Sequence, residues 1–272
     1  MLKSLPAAAI ALLLASPSFA QSAPDTPSMF NVNTLFVIVS AILVMWMAAG
    51  FAMVEAGFVR AQGVITQCAK NIGLFAIASV GFLLCGYGLL YPESWIVPGM
   101  LGQPAQVDIG GVADSSNGFD KRGHASAAIV FFQMMFAATV VSIVSGALAE
   151  RMKLVPFFIF AAALGAIIYP IQASWSWGGG FLTTQFGFVD LAGSTVVHVV
   201  GGVSALTGSI ILGARAGRYK NGVKVPMTSF NLPIATLGTL ILWMGWFGFN
   251  AGSYLNFNTE ADAANVSRIL LN

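Results

Sequence analysis

The sequence predicts an all-α polytopic membrane protein, and three observations carry that class. Hydrophobic residues fill 57% of the 272 positions, charged residues only 8%, and the mean hydropathy is +0.82. Soluble domains run near a quarter charged. Apolar runs long enough to cross a bilayer recur at 35–57, 70–91, 125–148, 155–173, 191–213 and 230–253, with most charges and prolines in the breaks. A net charge of +2, scattered along the chain, excludes a nucleic-acid role.

The first twenty residues, MLKSLPAAAIALLLASPSFA, combine one lysine, a short apolar stretch and a small-x-small ending. This is the layout of a cleaved secretory signal peptide, and the stretch falls short of the ~20 residues a span requires. Residues 21–33 then form a short extracytoplasmic lead, and the mature N-terminus is expected outside. From that start, eight of the twelve basic residues fall in inside breaks: Arg60, Lys70, Arg151, Lys153, Arg215, Arg218, Lys220 and Lys224. The bias agrees with the positive-inside rule and supports that orientation; the expected location is the cell inner (cytoplasmic) membrane. The outside loop 92–123 shows no usable periodicity. Beyond Ser253 the chain turns polar and then begins a seventh helix, so it reads as part of something longer.

Cys68 and Cys85 stand near the two ends of one predicted helix, ~25 Å apart, and cannot bridge. Glycine supplies 30 residues, many within spans, where small residues let helices approach closely.

An ionisable side chain inside a bilayer is a functional candidate by default. Glu55, Asp190 and His198 qualify. Glu55, at the inner end of the first span, reads as a structural residue that snorkels or pairs with a base. Asp190 precedes the fifth span and suits a cap for its free N–H groups and a partner for the positive end of its dipole. His198 lies about 12 Å deeper, offset by about 80° on an ideal helix. A single histidine without a Cys or second His at ligand spacing makes no zinc site.

Aromatic residues form a second constellation. Trp175 and Trp177 at the outer end of span four suit interfacial anchors, and an indole face can also hold a small cation. In span three, Gln133 and Phe136 share a face. In span six, Trp246, Phe249 and Ser253 share another. Each stripe bears a polar residue at its outer end, which suits a pore mouth narrowing to an apolar constriction.

The segments WGGGFLTTQFGFVDLAGSTVVH, GALAERMK, ILWMGWFGFNAGS, GFAMVEAGFVRAQ and FQMMFA resemble the ammonium transporter (Amt/Mep/Rh) family, Amt type, and the match runs in the expected order from about residue 34 to the last. The resemblance implies an eleven-helix inverted-repeat transporter, of which residues 34–272 are the first five-helix repeat, helix six and the start of helix seven. It implies a homotrimer with one pore per subunit, ammonium or ammonia as substrate, a role in nitrogen uptake, no cofactor and no enzymatic activity. By the same resemblance the outer ammonium site corresponds to Trp177, Phe136 and Ser253, and the gate to Phe136 and Phe249 with Gln133 and Phe132 beside them. Asp190 supports the outer site, and His198 is the first of two facing pore histidines. Bacterial members also imply a cytosolic P-II regulator.

The implied transport recruits NH4+ at the aromatic site, deprotonates it and passes NH3 through an apolar pore. Residues 1–272 taken alone, without the second histidine, are expected not to conduct. Two alternatives stay open: an Amt-like sensor domain fused to a signalling module, and a Rhesus-type gas channel, against which Trp177 argues.

Overall fold

The computed structural model describes residues 29–105, 107, 109 and 123–272. The leader at 1–20 lies outside them. Six apolar helices are each long enough to cross a membrane: α1 (Met29–Phe58), α2 (Ala61–Leu90), α3 (Ser126–Ala147), α4 (Leu154–Ser174), α6 (Ser194–Leu212) and α7 (Leu232–Ala251). A short helix α5 (Phe181–Phe186) precedes α6, and α8 (Glu260–Leu271) follows α7.

All six expected spans are present, with two displaced starts. α1 is already helical at Met29, so the lead read over 21–33 is in part helix. α2 begins at Ala61, nine residues before the expected 70. Its first turns carry Gln67, Lys70 and Asn71, whose polarity hides the helix from a hydropathy window, yet all three are buried against neighbouring helices. Lys70 is therefore no inside-loop residue. Its ammonium lies 3.1 Å from the Glu55 carboxylate, donates to the Ser145 carbonyl at 2.8 Å and sits 5.0 Å over the Phe157 ring. Glu55 thus pairs with a base rather than snorkelling. A buried pair of this kind holds only while both partners are present.

α3 is the axis of the bundle. It is buried along most of its length and contacts α1, α2 and α6. Its core face, with Val140, Val141 and Val144, joins Val37, Ala41 and Val44 of α1 and Leu74 and Ala78 of α2. α1 and α7 pack closest of all. A Cβ on Gly238 would stand 2.6 Å from the Val54 nitrogen and 2.7 Å from the Gly50 oxygen. That spacing admits hydrogen alone, the small-residue contact by which helices associate in lipid. α6 and α7 leave Val203, Leu206, Ile210, Leu240 and Trp243 bare on one side, an apolar face matched to lipid or to further protein.

The connections define two ends. At one, Glu150 accepts Arg60 at 2.8 Å and Arg215 at 3.4 Å, tying together the α1–α2, α3–α4 and α6–α7 turns. At the other, Asn33 accepts the Phe257 N–H at 2.7 Å and Thr34 accepts the Ala125 N–H at 3.1 Å. The loop after α2, expected to be irregular, contains a hairpin, β1 (Ser94–Val97) with β2 (Leu101–Gln103). A second hairpin pairs β3 (Tyr219–Lys220) with β4 (Val223–Lys224). Asn221 and Gly222 join it with φ of 52° and 77°, the doubly left-handed turn that Asn-Gly favours.

Helix starts follow local chemistry. Asn231 accepts the Ile234 N–H at 3.0 Å ahead of Pro233, whose missing N–H is no loss in a first turn. Thr259 and Asp262 form a reciprocal capping box for α8. Four spans contain a five- or six-residue π turn: Phe82–Gly86 in α2, Leu164–Ile168 in α4, Ser194–Val199 in α6 and Phe247–Ala251 in α7. In α4 the π turn runs up to Pro170, which has no N–H to give the preceding turn.

Candidate functional site

The site is assembled at the Asn33 end of the bundle, between α3, the segment joining α4 to α6, and the end of α7. Asp190 organises it. One carboxylate oxygen accepts the N–H groups of Gly193 at 2.8 Å and Ser194 at 3.0 Å. The other accepts those of Thr195 at 2.8 Å and Val196 at 2.9 Å. The free donors of the α6 N-terminus converge on this one side chain. Such wrapping requires a sharp approach, supplied by Gly193 at φ 89°. A Cβ there would meet Val197 Cγ2 at 2.5 Å and the Trp177 ring at 3.1 Å.

The same residue fixes the indole. Trp177 Nε1 donates to the Asp190 carbonyl at 2.7 Å, which turns the ring inward from the end of α4. Trp175, two residues earlier, turns the other way. Its Nε1 donates to the Met100 carbonyl at 2.7 Å, and its ring packs on Phe181. The two tryptophans, read alike as anchors from position, therefore do different things. Trp177 still bonds back to the Ala173 carbonyl in helical fashion, so a two-residue step turns the side chain by about 200°, to the opposite face.

Aromatic rings then form a continuous ladder. Phe136 meets Trp177 edge-on at 5.9 Å, Phe132 at 4.6 Å and Phe249 at 4.1 Å. Phe249 in turn meets the His198 ring at 5.3 Å. Phe132, Phe136 and Phe249 are fully buried, and the Phe136–Phe249 contact stands between the cavity and the histidine. Above the contact lies a cavity of about 350 Å³ whose walls include Trp177, Phe136, Phe132, Gln133, Asp190 and Ser253. Ser253 donates its hydroxyl hydrogen to the Phe249 carbonyl at 2.7 Å and so turns its oxygen lone pairs to other partners. Gln133 donates to the Tyr91 hydroxyl at 2.7 Å, while its carbonyl oxygen is buried without a partner.

His198 is half-buried, inside the π turn of α6, with Nδ1 3.2 Å from the Gly193 carbonyl. The Trp246 ring stacks on it at 5.9 Å and 20°. The expected 80° offset from Asp190 does not apply: residues 190–193 are not helical, and the following turn is π rather than α. Trp177, Phe132, Phe136, Gln133, Asp190 and Ser253 thus line one cavity, with Phe249 and His198 beneath it, while Glu55 lies at the other end of the bundle and Trp175 turns away. Sequence reasoning missed Tyr91, the Trp246 stack on His198, buried His124 at the start of α3, and Glu150. It also missed that Lys70 is the partner of Glu55, for which a cation at the edge of an apolar run was a usable signal. No group of three or more His, Cys, Asp or Glu positioned for a metal occurs among the described residues.

A family model described as the Ammonium Transporter Family matches residues 35–270. The ammonium transporter Amt2 of Archaeoglobus fulgidus is 38% identical over 252 residues, covering 89% of this chain and 51% of the relative. Amt1 of Methanocaldococcus jannaschii is 35% identical over 243 residues, covering 89% and 58%. Among solved structures, one described as "Sensor Amt Protein" superposes with a TM-score of 0.78 at 35% identity, covering 89% of this chain and 58% of its own. Mep2 of Candida albicans superposes with a TM-score of 0.71 at 27% identity, covering 86% and 51%. The chain spans about half the length of the curated relatives it matches. With its six membrane-length helices and the aromatic cavity they enclose, the chain belongs to the ammonium transporter family.

Proposed function

We propose that this chain forms the first half of an ammonium conduit, with the outer cavity as its recruitment site. One observation carries the reading: an indole, a phenyl ring and a hydroxyl from three separate elements line one small cavity directly above a closed aromatic contact. A bare cation entering hydrocarbon loses its hydration at great cost. The Trp177 face, the Phe136 ring and the Ser253 lone pairs replace part of that water. The Phe136–Phe249 contact is dry and apolar, so the neutral form crosses it and the ion does not, the same desolvation that favours an uncharged amine in a protein interior. NH3 then reaches His198, whose ring offers a hydrogen bond in an otherwise apolar passage.

Selection against K+ follows, because K+ has no proton to shed. Asp190 acts as scaffold: all four N–H groups at the helix start already occupy its oxygens. The orientation puts the Arg60–Glu150–Arg215 end in the cytoplasm, as the clustering of basic residues there favours. Homotrimeric assembly, and a P-II regulator at the cytoplasmic end, belong to the same reading.

The test is the current evoked by ammonium in membranes holding a complete gene product that contains residues 1–272, with and without His198→Ala. A change in charge moved per methylammonium taken up is expected. Unaltered coupling removes His198 from the proton's route. The similarity to the structure described as "Sensor Amt Protein" favours one second reading, an ammonium-sensing membrane domain. Ammonium binding that protects the protein from heat, with no uptake in the complete protein, would select that reading.

A further inference from the structure

A second cavity lies at the opposite end of the bundle and plays no part in the recruitment of ammonium. It measures about 660 Å³ and is walled by the inner ends of α1 and α3 and by the α6–α7 connection. Three guanidinium groups, Arg151, Arg215 and Arg218, face it together with Ser229 and Tyr219. Its one acid, Glu55, is already paired with Lys70.

Each arginine is tethered through a single nitrogen. Arg151 Nη1 donates to the Gly213 carbonyl at 3.1 Å, and Arg218 Nη1 donates to the Val225 carbonyl at 2.9 Å. Arg215 Nη1 reaches Glu150 at 3.4 Å. The remaining donors of each fork are uncommitted, and Arg151 Nε is buried with no partner at all. A buried charged donor left unpaired is costly and calls for an acceptor. Glu150 is engaged by Arg60 and Arg215 rather than by Arg151. Among the ionised groups in and around the cavity, five cations (Arg60, Lys70, Arg151, Arg215, Arg218) face two carboxylates (Glu55, Glu150), which leaves three positive charges uncompensated.

We infer that this cavity is an anion site that binds a phosphate group. Guanidinium forks match phosphate oxygens in pairs. Three forks and two hydroxyls converging from two chain segments, the α3–α4 turn and the α6–α7 connection, suit a tetrahedral anion with several acceptors better than a planar carboxylate. The remaining wall is apolar, with Val54, Phe58 and Met227, and the Phe58 ring is half exposed at the bundle surface. Such a boundary, charged inward and greasy outward, admits a phosphodiester headgroup with its chain alongside, as basic pockets between membrane helices do. Free phosphate satisfies the same donors.

A complete gene product that contains residues 1–272, purified in detergent, is titrated with inorganic phosphate by calorimetry and with phosphatidylglycerol by native mass spectrometry. Binding of about one equivalent of at least one probe is expected, weakened tenfold or more by Arg151→Gln and by Arg218→Gln. Arg218 is tethered only to its own loop, so its variant keeps the bundle intact; unchanged thermal unfolding verifies this. Lys153→Gln removes the same charge from the same end but outside the cavity and should leave affinity within twofold. Binding of the lipid alone identifies a headgroup site, and binding of inorganic phosphate identifies a free-anion site; either supports the assignment. Absence of binding by both probes overturns it. So does an equal loss in Lys153→Gln and Arg151→Gln, which would reduce the effect to general surface charge.

Discussion

Asp190→Asn separates a carboxylate that holds a helix from one that holds an ion. In the native chain each oxygen of Asp190 accepts two N–H groups, at 2.8 to 3.0 Å. Asparagine keeps one acceptor oxygen and aims an NH2 at the other pair of donors. Two charge-assisted bonds are lost at about 1.5–3 kcal/mol each, a ceiling of about 3–6 kcal/mol. Ser194 is exposed and water can satisfy part of the freed turn, so the expected loss is about 2–4 kcal/mol. For a chain of this size that lowers the unfolding midpoint by roughly 4–16 °C. The assay is thermal unfolding in detergent followed by tryptophan fluorescence, paired with methylammonium uptake by the complete protein. Asp190→Glu supplies the comparison: charge is kept near the dipole, but the extra methylene misplaces the four contacts, so it should fall between parent and Asn. A midpoint within 1 °C of the parent in Asp190→Asn, with uptake abolished, would refute the scaffold role and put the carboxylate at the ion.

Lys70→Met leaves the Glu55 carboxylate buried and unpaired and should destabilise the bundle by about 3–5 kcal/mol. Adding Glu55→Leu should restore most of that, measured as recovery of the unfolding midpoint in the double variant. Gly193→Ala forces a Cβ into the left-handed region and against Val197; a cost of about 1–2 kcal/mol from backbone handedness alone is expected, with a midpoint drop read by the same assay. Trp177→Leu removes a desolvated indole face worth about 2 kcal/mol to a cation. The half-saturating ammonium concentration of the complete protein should rise about 30-fold while the unfolding midpoint moves far less.

Much of the fold was legible because the bilayer demands long apolar runs, and all six spans followed from that demand. The displaced start of α2 shows where the rule fails. Gln67, Lys70 and Asn71 look like a loop to any average over hydropathy, but Glu55, Ser145 and Phe157 on neighbouring helices make their burial tolerable. That compensation is tertiary and invisible in a local window. The hairpin at Tyr219–Lys224, by contrast, was announced by Asn221-Gly222 and could have been recognised. In the candidate site, motif resemblance gave the residues but not their arrangement. The split between Trp175 and Trp177 turns on two hydrogen bonds to distant carbonyls, Met100 and Asp190. The placement of His198 beneath Phe249 depends on a π turn that no 3.6-residue wheel anticipates.

The π turns at Ser194–Val199 and Phe247–Ala251 have a further consequence. Each carries one residue more than an α turn would need over the same rise, so it behaves as a spare link in the chain. Removing one residue from Phe247–Ala251 could be absorbed by closing that turn to α, with the helix before it undisturbed. Everything after it, Ser253 included, would keep its place, whereas the same deletion from a regular α segment would swing the following residues by about 100°. In these two helices chain length is itself a tolerated variable: a codon lost within the π turn spares the register on both sides, while the same loss elsewhere in the helix would turn one wall of the site away from the other.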